Sequence, residues 1–316
     1  MIRLKSCSIS NCAKTSKSFL SVPQYWKRFE ALNQQVQIHF ILQNNPEVLN
    51  PYPLLLPNAT PTPLKHMTSD LRIIRSLVAR DLKLKYKQSV LGFLWSLITP
   101  LVFLAIFNFV FSMAFMNIEN YSLYVIIGLV FWQFFSNATN QTIQSFISHG
   151  GIIKTINIPL YNFPLSSIIS ELVALAISII PFTVLMFFFG LELSWHFVLL
   201  IPATFLFALA SYGLGVFLGL LNVYLRDVSI LWNTINPALF YLSPIAYDDS
   251  IIPEHYMIYI KANPLYHYFG VFRDILYSNT VPELSSWITI SVISFGLYAM
   301  GKLALYKLEK GLISNI

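Results

Sequence analysis

Residues 80–111 read RDLKLKYKQSVLGFLWSLITPLVFLAIFNFVF, and they join a cationic segment to an apolar run with no charged residue after Lys87. Taken over 91–116, the apolar part is long enough to cross about 30 Å of hydrocarbon as a helix rising 1.5 Å per residue. Five similar windows follow, at 122–147, 165–189, 195–221, 228–247 and 285–306. Their only lysine or arginine is Lys302, near the end of the last. A basic side chain at mid-membrane costs about 2.5–3.5 kcal/mol on insertion scales, so this exclusion marks membrane spans, not a soluble helical core.

The 316 residues are 56% hydrophobic and 11% charged, with a mean hydropathy of +0.62, far from the roughly one-quarter charged make-up of soluble domains. A formal net charge of +6 admits nucleic acid or anionic lipid as partner, but the basic residues cluster at window ends, which selects lipid. The expected fold is an all-α integral membrane protein with six transmembrane helices.

Lysine and arginine are retained on the cytoplasmic side of short connections. One side collects Arg72, Arg75, Arg80, Lys83, Lys85 and Lys87, then Lys154, Arg226, Lys302, Lys307 and Lys310; the other has only Lys261 and Arg273. The outer connections instead carry Glu119, Glu192, Asp248, Asp249, Glu254, Asp274 and Glu283. Both termini are therefore expected in the cytoplasm.

Residues 1–66 differ in kind, ending in NNPEVLNPYPLLLPNATPTPLKH (44–66). Each proline removes a donor and fixes φ, so no regular helix is expected there and the segment reads as a poorly ordered tail or linker. The other reading is that translation begins at Met67. Residues 1–66 are thus an N-terminal extension and 67–316 the membrane domain. Cys7 and Cys12 have no neighbour at metal-site spacing and read as reduced thiols. Arg3 and Lys5 precede interrupted polar sequence, not the apolar core of a cleaved export signal.

From Ser69, Leu71, Ile74, Val78 and Leu82 recur at helical spacing with the basic residues mostly off that stripe. An amphipathic interface helix before the first span is expected, with packing on another domain as the alternative. The connection 248–284 contains IIPEHYMIYI and NPLYHYFGVFRDILY, too long for a turn and too apolar for a solvated loop. Short re-entrant helices between spans five and six account for it, where protein groups satisfy the irregular backbone.

No phosphate-binding G-x-x-x-x-G-K-[ST], H-E-x-x-H or G-x-S-x-G motif occurs, so the chain is not expected to hydrolyse ATP itself. Five fragments carry a resemblance: RDLKLKYKQSVLGFLWSLITPL (80–101), GLVFWQFFSNATNQTIQSFISHGGIIKTINIPLYNFPLSSII (128–169), LNVYLRDV (221–228), FYLSPIAY (240–247) and NPLYHYFGVFRDILY (263–277). In this order and spacing they resemble the ABC-2-type membrane subunits that export O-antigen, capsule and teichoic acid, over residues 67–316. The resemblance implies a homodimer with two separate ATPase subunits, a lipid-linked polysaccharide substrate, and no cofactor on this chain, ATP and Mg being held by the partner.

It also implies that cytoplasmic turns grip the ATPase. The turn 148–164 offers Gly150, Gly151, Lys154 and Pro159, a flexible start, a cationic point and a fixed end suited to a short helix. The next has Asn222, Arg226 and Asp227, where local capping is an equal reading of the charged pair. Two departures weaken the electrostatic part of that contact. Thr155 follows Lys154 where the family often has a second basic residue, and Tyr161-Asn162 stands where Arg-Glu is common.

A glycan conduit wants rings that stack loosely on sugar C–H faces. Phe103, Phe107 and Phe111 lie at i, i+4 spacing in the first window; Phe131, Trp132, Phe134 and Phe135 open the second, and Phe240 and Tyr241 close the fifth. Each alone reads as packing or lipid-facing; only the ring as a group reads as a pathway. Arg80, Lys83, Lys85 and Lys87 can present an anionic lipid head to a lateral opening, though topology alone demands such charges. Glu171 is the one acid inside a window, expected to snorkel or to pair within the bundle. Pro100, Pro181, Pro202, Pro237 and Pro244 read as kinks. An ion-coupled carrier would need more intramembrane charge, and a membrane-embedded glycosyltransferase or acyltransferase would need clustered acids or histidines. Within the family, O-antigen export is favoured over capsule, teichoic acid or drug export.

Overall fold

The computed structural model describes residues 63–86, 94–111, 120–155, 158–188, 194–249 and 252–315. Every element among them is helical: α1 (Pro63–Tyr86), α2 (Trp95–Phe111), α3 (Tyr121–Ser148), α4 (Gly150–Thr155), α5 (Asn162–Phe188), a 3₁₀ turn (Trp195–Leu199) leading into α6 (Leu200–Tyr224), α7 (Asp227–Leu242), α8 (Glu254–Lys261), α9 (Pro264–Leu276) and α10 (Leu284–Asn315). Six of these, α2, α3, α5, α6, α7 and α10, fall on the six apolar windows. Four stretches, Tyr121–Thr155, Asn162–Ile180, Trp195–Tyr224 and Leu284–Glu309, are long and apolar enough to cross a membrane. α2 and α7, of 17 and 16 residues, are shorter. Residues 1–62, with Cys7 and Cys12, lie outside the described residues, as do Lys87, Glu119 and Glu192.

α3 forms the middle of the bundle, packing on α5, α6 and α2. In hydrocarbon, helices gain from packing and not from escaping water, so small residues that let backbones approach are favoured at contacts. α6 supplies them on two sides. Its Gly213 meets the backbone of Leu297 and Tyr298, and a Cβ at Gly301 would stand 2.5 Å from the Gly213 carbonyl oxygen. On the other side a Cβ at Gly215 would stand 2.7 Å from Thr142 Cβ. Serines and threonines within the apolar helices donate to the preceding turn, as Ser170 does to Ser166 O at 2.7 Å and Ser211 to Phe207 O at 2.8 Å. Such bonds satisfy a hydroxyl without a second helix. Val292, Phe295, Leu303 and Tyr306 on α10 remain exposed, the face expected toward lipid.

Pairwise contacts fix the helix directions. Phe135 stacks on Phe207 while Gly219 lies against Thr142 and Ile143, so α3 and α6 run parallel. Tyr224 Oη donates to Leu308 O at 3.1 Å, which makes α10 parallel to both. α7 runs oppositely, with Asn236 beside Ser136 and Ile245 beside Gly128. So does α5, where Phe163 faces His149 and Glu171 faces Gln141. One end of the bundle therefore gathers α1, α4, the 225–227 turn and the C-terminal part of α10. The other gathers the 3₁₀ turn, residues 243–249, α8 and α9.

At that second end the chain leaves α7 at Ser243-Pro244, where proline cannot continue the helical hydrogen bonding. The freed carbonyls are taken by side chains from elsewhere. Tyr121 Oη donates to Ala246 O at 2.8 Å, Tyr124 Oη to Tyr247 O at 3.1 Å, and Arg273 Nη2 to Pro244 O and, at 3.0 Å, to Ile245 O. Arg273 also lies 3.7 Å over the Tyr124 ring. Asn263 caps α9 by accepting from the Leu265 N–H at 3.0 Å, with Pro264 next in line. Phe131 and Phe272 stack at 3.7 Å and seat α9 on α3.

Three expectations are corrected. α1 begins at Pro63, inside the segment read as non-helical, because proline is tolerated in a first turn. Its buried face is Ile73, Leu77 and Arg80, while Leu71 is 60% exposed, so the stripe drawn through Leu71 is rotated off the packed face. The fifth window was drawn to 247, yet its helix ends at Leu242.

Candidate functional site

Three features carry chemistry, and the first lies where α2, α3 and α7 meet. A cavity of about 320 Å³ is walled by Phe103 and Phe107 of α2, Trp132 of α3, and Phe240 and Tyr241 of α7. The rings touch one another: Phe107–Phe240 centroids are 5.8 Å apart, Trp132–Phe240 5.3 Å and Phe240–Tyr241 5.3 Å. Five of the aromatic residues read from the sequence are thus brought together. Phe135 is not; it stacks on Phe207 at 5.7 Å inside the core, with Phe131 and Phe134 also buried there. The Phe111 side chain lies outside the described residues.

The same cavity is lined by Gln133, Ser136, Asn137 and Asn236, which the sequence reading did not single out. A signal existed. Gln133, Ser136, Asn137, Asn140, Gln141 and Gln144 repeat at three- and four-residue intervals, a polar stripe down an otherwise apolar span. Thr99, Pro100, Leu129 and Pro237 complete the lining.

The second feature is at the opposite end of α3. Lys85 Nζ donates to Glu171 Oε1 and Oε2 at 2.7 and 2.8 Å, and Gln141 Nε2 donates to Glu171 Oε1. Glu171 is 2% exposed, so its carboxylate pairs inside the bundle and does not snorkel. Arg80, at 6% exposure, is likewise turned inward. Its Nη2 donates to Asp81 Oδ1 at 2.5 Å and to His149 Nε2, while His149 Nδ1 donates to Ser145 O at 2.6 Å. Only that tautomer satisfies both neighbours. Burial pushes the Asp81 carboxyl up from its ordinary value and Arg80 draws it back. Of the four basic residues read as a lipid-head patch, Arg80 and Lys85 tie α1 to α3 and α5, Lys83 is exposed, and Lys87 lies outside the described residues.

The third feature is the pair of turns at this end. α4 buries Ile152 and Ile153 and leaves Lys154 exposed, with Gly151 half-buried and Pro159 exposed. Arg226 and Asp227 are exposed at the same end of the bundle, Asp227 in the first turn of α7, where a carboxylate suits the helix N-terminus. Asn222 Oδ1 accepts the Ser229 N–H at 3.0 Å and braces that turn. Tyr161, one of the two departures from the family pattern, donates to Asp70 Oδ2 at 2.8 Å and ties the first turn to α1. Its neighbour Asn162 is fully buried.

Comparison with known proteins gives the family. A family profile described as ABC-2 type transporter matches residues 72–277. The chain is 32% identical over 207 residues to the O-antigen export system permease protein RfbA of Klebsiella pneumoniae, covering 64% of this chain and 79% of that protein. It is 24% identical over 226 residues to RfbA of Myxococcus xanthus, covering 70% and 86%. It is also 22% identical over 247 residues to the capsule polysaccharide export inner-membrane protein BexB of Haemophilus influenzae, covering 76% and 92%. The matched region contains the cavity walls, both turns and the irregular segment after α7, and on this ground the chain belongs to the ABC-2 type transporter family.

Proposed function

We propose that this chain is the membrane subunit of an ABC transporter that exports lipid-linked polysaccharide, O-antigen in type, across the cytoplasmic membrane. The observation that carries the proposal is the ring-walled cavity inside a chain that matches four-fifths of an O-antigen permease. Stacked rings hold a sugar weakly through its C–H faces, so a polymer slides past without a deep binding well. The chain crosses the membrane six times with both termini in the cytoplasm, α1 lying at the inner interface and α8 and α9 dipping into the outer leaflet. Two copies pair and two ATPase subunits dock below, holding the ATP and Mg; this chain binds no cofactor and is a transport subunit, not an enzyme.

Gly151, Lys154 and Pro159 of the first turn, with Arg226 and Asp227 of the second, form the docking surface. The exposure of Lys154, Pro159, Arg226 and Asp227 at one end of the bundle supports that assignment. Movement of these turns then opens and closes the pathway by hinge or shear. Residues 67–316 make up this transport domain, and 1–66 are an extension to it.

Deletion of the gene is expected to remove surface glycan while undecorated lipid-linked polymer accumulates inside, with recovery on expression of the intact chain. Normal surface glycan in the deletion strain overturns the proposal. Capsule export is the second reading, favoured by the BexB match, and the chemical identity of the missing polymer separates the two.

A further inference from the structure

The cavity lining combines two chemistries. Beside the rings stand the amides of Gln133, Asn137 and Asn236 and the hydroxyl of Ser136. Asn236 is 4% exposed, and its Nδ2 donates to Ser136 Oγ at 2.6 Å. Its Oδ1 has no hydrogen-bond partner among the described residues. A buried amide oxygen without a donor is costly and uncommon in native proteins. On α3 the spacing 133, 136, 137 puts three polar groups on one face, and Asn236 adjoins them at Ser136.

We infer that Asn236, Gln133 and Asn137 form a hydroxyl-reading strip, a subsite for an uncharged sugar unit of the exported polymer. The rings take the C–H face of the unit, and the amides, which both donate and accept, take its hydroxyls in either sense. None of the described lining residues is charged. A carboxylated or sulfated unit would therefore shed water without gaining a cationic partner, and the strip selects neutral glycans over acidic ones. The inference rests on the pathway reading above and adds to it a substrate class and a set of recognition groups.

The test uses the full chain with its ATPase partner in the host that makes the polymer. A benzophenone amino acid replaces Tyr241 at the cavity rim, and light during export captures the host's own glycan as an adduct detected by periodate staining. Asn236→Leu is expected to lower both adduct and surface glycan about five- to tenfold. Asn236→Ser, which keeps a hydroxyl, is expected to recover part of that loss, and Ser136→Ala, which removes the bond between α3 and α7 and one lining hydroxyl but spares the Asn236 oxygen, is expected to lose clearly less than Asn236→Leu, about two- to threefold. Equal losses in Asn236→Leu and Ser136→Ala identify a brace between helices and overturn the strip, as does an unchanged Asn236→Leu. Should Asn236→Leu not accumulate in the membrane, Gln133→Met reads the same strip, and an unaltered adduct there overturns it. An exported polymer built mainly of acidic sugars overturns the neutral preference. Absence of any adduct with wild-type Asn236 sinks the pathway reading itself, which keeps the two failures apart.

Discussion

Glu171 shows how a carboxylate survives inside a helix bundle. Lys85 and Gln141 supply its donors, and the lysine stands 86 residues away in sequence. That separation is why the chain's one intramembrane acid was legible as unusual but its pairing was not. Removing one member of a buried pair generally costs more than the pair contributes, because the other stays behind. Glu171→Gln is expected to destabilise the purified protein by about 1–3 kcal/mol, discounted for the partly exposed lysine, as a lower midpoint of thermal unfolding in detergent. The double exchange Lys85→Glu with Glu171→Lys should recover at least half of that loss; no recovery means the pair does not act as one. Arg273 was equally hidden. The sequence reading noted a basic residue in a connection expected on the outer side, but its acceptors are backbone carbonyls at Pro244 and Ile245, which no pattern of side chains reveals.

Among the elements, those with a long apolar period were readable and those set by tertiary contact were not. The six windows match six helices because an uninterrupted apolar run is recorded in composition alone, although four of the stretches reach a membrane-crossing length and α2 and α7 are shorter. A helix was expected before the first window and α1 is one, yet its packed face had to be learned from the structure, because two apolar stripes, one through Ile74 and Val78 and one through Ile73 and Leu77, compete along it. Burial of Arg80 decides between them, and burial of a cation is contrary to what a stripe argument assumes. The glycine contacts give a sharp test at this scale. Gly213→Leu would drive a side chain into the Leu297–Tyr298 backbone and is expected to abolish accumulation of folded protein. Gly296→Ala and Gly270→Ala meet nothing within 4 Å and should be neutral or stabilising by up to about 1 kcal/mol. Detergent-solubilised yield and melting temperature compare all three, and a tolerated Gly213→Leu would remove the close-packing argument.

For the whole molecule, five of the aromatic residues that the sequence reading grouped lie around one cavity, and that reading was silent about the polar residues beside them. Aromatic residues at helical spacing stand out against an aliphatic background, whereas Ser, Asn and Gln in a span are easily taken for back-bonded packing residues. The turns belong to this scale because the partner proposed for them is another subunit. Lys154→Glu is expected to reduce co-purification of the ATPase at least severalfold without lowering the yield of this chain, since the side chain is exposed and reverses sign. Undiminished co-purification removes Lys154 from the docking surface.

Main chain pressed against main chain has no rotamers with which to yield, and α6 is held in that way to α10 on one flank and close to Thr142 of α3 on the other. These three helices are therefore expected to behave as a stator. Any widening of the cavity falls to α2 and α7, each of which carries a proline on the cavity wall, Pro100 and Pro237, where a helix bends most readily. The molecule would thus flex along one side only, that of the two proline-bearing helices of the cavity.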